Sequence, residues 1–166
     1  MVVPIPEHIA RIRQKIGHDL LLVPAVSVLA RDDAGRLLLV RHTESGLWGL
    51  VGGCVEIDED PADAAVREAL EETGLVVELT GMVAAVGGPQ YRIRYANGDE
   101  AAVIAVVYTA RVTGGSALAQ GDETCEVGWF PPAELPDLAL GSFARATLTH
   151  LDWLCAPQPG TPVGRL

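Results

Sequence analysis

Between Asp60 and Gly74 the chain reads DPADAAVREALEETG, a helix with both ends written out. Asp60 is a good N-cap, Pro61 suits the first helical position, and Asp63 falls in the first turn, where the helix dipole favours an acid. Gly74 can adopt the left-handed turn that ends the element, so the pattern predicts a helix from 61 to about 73. At 3.6 residues per turn, Glu68, Glu71 and Glu72 stand at i, i+3 and i+4, which puts three carboxylates on one face near the partly negative C-terminus. Each like-charge pair at such spacing costs roughly 0.2–0.5 kcal/mol on an open surface, and about 3 kcal/mol at 5–6 Å where partial burial lowers the effective dielectric to about 20. Either solvent screens this face, with Arg67 pairing to Glu71 at i+4, or a cation belongs on it.

The surroundings of the helix favour the cation. The preceding stretch, Thr43 to Asp60, carries Gly46, Gly49, Gly52 and Gly53 with little periodicity, and reads as a long shaped loop rather than an element. A further acid, Glu59, precedes the helix. Hard, octahedral Mg²⁺ takes oxygen ligands and keeps several waters, so clustered carboxylates beside a glycine-rich backbone make a seat for it.

The rest of the chain bounds what such a seat could serve. At 166 residues, 49% of them hydrophobic, it fits one domain with a proper core. Twelve Lys and Arg against 22 Asp and Glu give a formal charge of −10. That balance argues against general binding of nucleic acid or anionic membrane, and an anionic ligand would need local cations. The longest apolar run, Leu20 to Ala30, is too short to span a bilayer, contains Pro24 and lies too far inside for a secretory signal; a soluble, cytoplasmic protein is expected. Cys54, Cys125 and Cys155 are odd in number and form no CxxC pair, and His8, His18, His42 and His150 share no metal-ligand spacing, which argues against a zinc site or a disulfide framework.

Ile5, Ile9, Ile12 and Ile16 recur at helical spacing behind Pro6, predicting an amphipathic helix over 6–16 ended by Gly17. AVSVLAR and RLLLVRH, joined by DDAG, read as paired strands. Val76 to Val86 reads as another strand. YRIRY and AAVIAVVYTARV flank Asn97-Gly98, a strong hairpin signal, and CEVGWF is a further β segment. Ala144, Leu148, Leu151 and Cys155 mark the buried face of a last helix. The expected organisation is an N-terminal helix in 1–19 packed on the domain, a main domain over 20–155, and a flexible Pro/Gly-rich tail over 156–166. Strands with interspersed helices suggest an α/β sandwich, with helices on both faces of a central mixed sheet.

Gly53, five residues, Glu59, seven residues, Arg67-Glu68, Ala69, Leu70, Glu71-Glu72, Thr73 and Gly74-Leu75 together resemble the signature of the Nudix hydrolases, with nine defining positions filled across residues 53 to 75. The likeness extends more loosely from about residue 20 to 155, through GLWGL and EVGWFPPAELP. It implies a Nudix-type α/β/α sandwich that cleaves a nucleoside diphosphate linked to another moiety, with Mg²⁺ or Mn²⁺. By position, Glu68, Glu71, Glu72 and the Gly52 carbonyl are similar to the family's metal ligands, with Glu68 also a candidate base. Glu59 and Arg67 would orient loop against helix. A further acidic group often comes from the loop ahead of the strand matching EVGWF, where Glu123 is the first candidate and Glu126 the second. Two positions depart from the pattern: Val51 stands where proline is usual, and Asp58 where glycine is common.

Arg41, His42, Tyr91, Arg92, Arg94 and Tyr95 are candidates to hold phosphate, sugar and base, with alternation setting the tyrosines opposite the arginines. The implied substrates are ADP-ribose, a nucleotide sugar, a dinucleoside polyphosphate or an oxidised nucleoside triphosphate. The alternative is a Nudix-like module that senses a nucleotide without cutting it. An RNA pyrophosphohydrolase conflicts with the net charge. The N-terminal isoleucines or the proline tail could serve a homodimer.

Overall fold

Helix ends depend on local chemistry, and here they fall where the local signals put them. The computed structural model describes residues 6–119 and 123–154; Ile5, Cys155 and the 156–166 tail lie outside the described residues. Helix α1 spans Glu7–Ile16 and is closed by Gly17 at φ 62°. Helix α2 spans Pro61–Thr73: the Asp60 carboxylate accepts the Ala62 N–H at 2.8 Å, and Gly74, left-handed at φ 69°, donates its N–H to the Leu70 carbonyl. Helix α3 spans Ser142–His150 and buries Ala144 and Leu148.

Seven strands form one sheet: β1 (Leu21–Arg31), β2 (Leu37–His42), β3 (Trp48–Leu50), β4 (Leu75–Val86), β5 (Arg92–Arg94), β6 (Glu100–Gly115) and β7 (Thr124–Phe130). Their order is β3-β2-β1-β6-β4, with β5 beside β6 and β7 beside β2. The sheet is mixed, because β1 runs parallel to β6 from Leu21↔Ala101 to Arg31↔Arg111 while the remaining pairs are antiparallel. One face buries Val26, Val28, Ala30, Leu38, Val40 and Val51 against Ala64, Ala65 and Ala69 of α2. The alanines carry no bulk, so helix and sheet approach closely. The other face buries Leu29, Leu37, Leu39, Val103 and Val107 against Ala144 and Leu148 of α3. Leu37 to Val40 are buried on both faces of β2, as expected for a strand covered on each side. This is the α/β/α sandwich with a central mixed sheet.

Two expectations need correction. The DDAG turn forms, with Gly35 N–H on the Asp32 carbonyl at 2.9 Å, but β1 and β2 share only the register pair Arg31↔Leu37 and then diverge. Residues 51 to 54 occupy the place beside β1: Val28 and Val26 donate their N–H groups to the Val51 and Gly53 carbonyls at 2.8 and 2.9 Å. For the same reason the 43–60 stretch is not all loop. It contains β3, and the glycine pair continues as a ladder against β1. Val51 is fully buried in the core under α2, so packing holds the turn that a proline would stiffen. Asp58 sits at φ 64°, the left-handed conformation that an aspartate tolerates better than most residues.

Helix α1 is tied down at its C-terminal end. The Arg13 guanidinium donates to the carbonyls of Gly17, Asp19 and Glu100 at 3.2, 2.6 and 2.7 Å and lies 3.6 Å from the Asp99 carboxylate. His18 Nδ1 is 2.7 Å from the same carboxylate. Ile9 is buried, whereas Ile12 is largely open. No helix among the described residues is long and apolar enough to cross a membrane.

Because the Asp60 cap satisfies a helix N–H that otherwise has no partner, Asp60→Ala should destabilise the fold by about 1 kcal/mol and lower Tm by roughly 2–4 °C. Denaturant and thermal melts of the two proteins check this.

Candidate active site

The ladder against β1 does more than hold the glycine pair. With the Val51 and Gly53 carbonyls committed to β1, alternation turns the polar edge of Gly52 the other way, toward α2, where its N–H donates to the Glu72 carboxylate at 2.9 Å. Gly52 is sterically required by backbone, and Gly53 leaves room for the end of a side chain. A Cβ at Gly52 would lie 2.2 Å from the Val26 carbonyl oxygen, and one at Gly53 would lie 2.5 Å from Oε1 of Glu68. The Glu68 carboxylate therefore rests in a cradle formed by the bare Gly53 backbone.

Arg67 fastens this loop to the helix. Its Nε and Nη2 make a bidentate pair with Glu59 at 2.7 and 2.9 Å, Nη2 also donates to the Cys54 carbonyl at 3.0 Å, and Nη1 reaches both Glu68 and Glu71 at 2.9 Å. The Glu59 hydrogen bonds and the further acids raise the guanidinium's affinity for its proton, and Arg67 in turn holds Glu59 below the usual carboxylate range.

The remaining acids are under the opposite pressure. Glu72 is only 6% exposed; burial and the charges of Glu68, Glu123 and Glu71 push its carboxyl up to about 8, against the opposing Gly52 hydrogen bond. Burial also raises Glu68, more than Arg67 lowers it. Glu123, in the turn before β7, is raised by burial and by Glu68 and Glu71. Glu123 thus feels the charge of the helix acids, and its carbonyl accepts the Thr43 N–H at 2.8 Å. Glu126 lies on β7, exposed and 3.3 Å from Arg41.

The expected substrate-binding residues divide. Arg41 is used within its own loop, on the Gly46 carbonyl at 2.9 Å and on Glu126. His42 lies against Gly49, whose missing Cβ would be 2.3 Å from Nε2, and burial lowers its pKa, so the ring is neutral and offers phosphate no charge. Tyr91 is corrected outright: it ends a 3-10 turn, is 1% exposed and packs edge-on to Phe143 at 5.4 Å, so its ring cannot stack a base. Arg92 and Arg94 are exposed on β5, where they line a shallow groove of about 190 Å³ with Leu20, Ile93 and Glu100. Tyr95 stays partly open, at 42% exposure, and burial of the rest of it, with Cys54, Asp99 and Glu123, raises its phenol against the opposing Arg13. Cys54, whose carbonyl takes Arg67 and whose thiol is pushed up to about 11 by burial and by Glu68 and Glu123, was not singled out by sequence; its place directly after the glycine pair was the available signal.

Among the described residues no three His, Cys, Asp or Glu side chains converge closely enough to hold a cation as they stand, since Glu68 and Glu71 face Arg67 and Glu72 faces Gly52. The donor set still fits a hard divalent ion. Four carboxylates raise or feel one another's charge, all supply oxygen, and Glu71 is exposed, held by one bond to Arg67.

The fold is a mixed sheet between helices, and beside it a glycine cradle meets an acidic helix face braced by one arginine. The family model for the NUDIX domain matches residues 21–151. The chain is 33% identical over 133 residues to a MutT-like protein of Streptomyces ambofaciens, covering 78% of this chain and 77% of that one. It is 34% identical over 128 residues to an ADP-ribose pyrophosphatase of Methanocaldococcus jannaschii, covering 74% and 70%. The crystal structure of a MutT NUDIX hydrolase from Burkholderia pseudomallei superposes with TM-score 0.64 at 30% identity, covering 78% of this chain and 97% of that one. This chain belongs to the Nudix family, hydrolases of pyrophosphate bonds in nucleotide-type substrates that generally use divalent metals.

Two predictions follow from the cradle and the buried acid. Gly53→Ala should leave the fold intact, because the flexible end of Glu68 can move aside, but it should lower activity; Gly52→Ala clashes with backbone and should destabilise the protein. Melts and turnover assays separate the two. Glu72 keeps its proton in the folded protein up to about pH 8 but loses it near 4.5 when unfolded, so native stability in EDTA falls as pH rises through that window. The loss is on the order of 3 kcal/mol between pH 5 and 8. A divalent cation should reverse it, with the larger gain at pH 8, as melts at both pH values with and without cation will show.

Proposed function

We propose that this chain is a Mg²⁺- or Mn²⁺-dependent pyrophosphohydrolase that cleaves a nucleoside diphosphate linked to a second moiety. The observation that carries this is the mutual electrostatic interaction of Glu68, Glu71, Glu72 and Glu123 around the Gly52–Gly53 turn, with Arg67 bracing loop and helix. The candidate substrates are ADP-ribose, other nucleotide sugars, dinucleoside polyphosphates and oxidised nucleoside triphosphates, and the similarities to an ADP-ribose pyrophosphatase and to an 8-oxo-dGTP diphosphatase, at 34% identity each, support the first and the last alike.

Glu68, Glu71, Glu72 and the Gly52 carbonyl would hold the cation, and Glu123 stands across from them as a further acid. When bound, a divalent cation neutralises charge on phosphoryl oxygens and acidifies water. Glu68, made more basic by burial, is the candidate to accept the proton of the attacking water. Arg67 and Glu59 hold the loop so that this carboxylate stays in its cradle. Tyr95 is the candidate to cover the base. No covalent nucleophile is required.

The test is product release from a panel of these compounds with Mg²⁺, with Mn²⁺ and with EDTA. Turnover that EDTA abolishes, lowered about 10²-fold or more in Glu68→Gln, Glu71→Gln and Glu72→Gln at unchanged fold, is the expected result. Full turnover in Glu71→Gln or Glu72→Gln would remove the assigned ligand role. Nucleotide binding without turnover would make the chain a sensing module.

A further inference from the structure

Strand β5 sets two arginines on the open side of the sheet. Its pairs with β6 are Arg92↔Ala102, Ile93↔Ala101 and Arg94↔Glu100, and β6 in turn pairs with β1 through Leu22↔Ala102, Pro24↔Ile104 and Val26↔Val106. Paired residues point to the same face, so Arg92, Ala102 and Leu22 form one row across the sheet, and Ile104 with Pro24 the next. Ile93 belongs to the opposite face, where it packs against the core under α3.

These rows lie on the α2 side. Val26 and Val28 of that face are buried beneath the helix, whereas Leu22, Pro24 and Ile104 are left open, Leu22 at 61% and Ile104 at 49% exposure. The open strip runs up to the glycine turn. The Val55 N–H donates to the Pro24 carbonyl at 3.2 Å and the Val26 N–H to the Gly53 carbonyl at 2.9 Å, and the bare Gly53 backbone carries the Glu68 carboxylate. Counted along β1, the Arg92 row is reached at Leu22, roughly 13 Å from Val26 at about 3.3 Å per residue, a span that one nucleoside bridges.

Charge differs between the two ends of the strip. The acids stand at one end. At the other, Arg92 and Arg94 project from the same face of β5, about 6–7 Å apart, and line the groove of about 190 Å³ with Leu20 and Glu100. Among the described residues Arg92 has no ion pair and no side-chain hydrogen bond, and Arg94 meets only Glu100, at 4.0 Å, with both side chains open to water. An exposed contact at that distance holds little energy, so both guanidiniums can turn to an anion. Two cations against one carboxylate leave this groove positive in a chain of net charge −10.

We propose that Arg92 and Arg94 form a subsite for a phosphate group carried on the ribose of the substrate's nucleoside, so that the enzyme favours nucleotides phosphorylated at the 2′ or 3′ oxygen over their unphosphorylated counterparts. The inference deepens the hydrolase reading above and rests on it. Each guanidinium donates N–H groups to phosphate oxygens in the planar fork geometry that suits a tetrahedral dianion. A ribose hydroxyl in the same place offers no charge to meet, so the preference comes from charge-assisted bonds that only the phosphorylated ligand makes.

Calorimetry with Mg²⁺ compares the 5′-monophosphates of adenosine and guanosine with their 2′,5′- and 3′,5′-bisphosphates, none of which has a pyrophosphate to cleave. The full chain should bind at least one bisphosphate about tenfold more tightly than the matching monophosphate. Arg92→Ala should bring that ratio to within about twofold of one, Arg92→Lys should keep part of it, and Arg94→Ala should lower it less, since Glu100 already faces that guanidinium. Thermal melts check that these exposed positions leave the fold intact. Equal affinity of the full chain for mono- and bisphosphates, no measurable binding of either, or a ratio that survives Arg92→Ala combined with Arg94→Ala would each overturn the proposal. An Arg92-dependent bisphosphate preference, joined to absence of cation-dependent turnover of ADP-ribose, of its 2′-phosphate and of the other candidate substrates, would leave the subsite standing and overturn the hydrolase reading alone.

Discussion

One guanidinium organises the chemistry of this protein. Arg67 makes hydrogen bonds to three carboxylates and a carbonyl, and these partners come from the loop before α2 and from α2 itself. A planar, permanently charged fork suits this task better than an ammonium, because it can engage Glu59 with two parallel bonds and still present a third nitrogen to the helix acids. Without it, half-buried Glu59 and Glu68 would keep their desolvation cost and lose their counter-charge, a loss on the order of several kcal/mol for a broken buried pair. The same contact sets the spacing between the glycine turn and the acidic face, so structure and site depend on the same few bonds.

The sheet supplies the other constraint. Strand β1 is buried between β6 and residues 51 to 54, and each neighbour has a distinct consequence. Parallel pairing with β6 leaves β1 covered on both faces by separate cores, one under α2 and one under α3. Pairing with the glycine segment orients the Gly52 N–H toward Glu72 and seats Gly53 against Glu68. Backbone geometry thus aims the acids more strictly than side-chain rotamers could, since a ladder hydrogen bond fixes direction as well as distance. The left-handed Asp58 lets the chain turn from that ladder into the capped start of α2.

Charge then decides what such a site can meet. A chain of net charge −10 repels a diphosphate at long range, and its helix acids repel one another at short range. A bound divalent ion would relieve both conflicts by supplying opposite charge to the helix acids and to the phosphates. Of the cations expected to serve recognition, Arg41 closes its own loop and partial burial disfavours the charged form of His42, while Arg13 anchors α1.

Much of this was legible in the sequence, and the reason is the range of the forces involved. Asp60, Pro61, Gly74 and the spacing of Glu68, Glu71 and Glu72 act within one or two helical turns, so the helix, its ends and its acidic face follow from neighbours along the chain. The strands, too, were visible as β-rich runs, and the signature between Gly53 and Leu75 pointed to the family. One pairing was legible too, β5 with β6 across the Asn97-Gly98 turn, but partners distant in the chain were not: β1 turned from its hairpin neighbour to β6, and a loop became a ladder. Burial belongs to the same class. Tyr91 and Tyr95 look alike in sequence, yet packing against α3 encloses the first and leaves the second partly open. Glu123 and Glu126 likewise differ only in where a turn ends and a strand begins. The sequence by itself determined the capped helix and the acidic face it carries, because local hydrogen bonds and periodicity specify them; tertiary structure alone decided which backbone meets that face and which side chains water can reach, because both depend on contacts between residues distant in the chain.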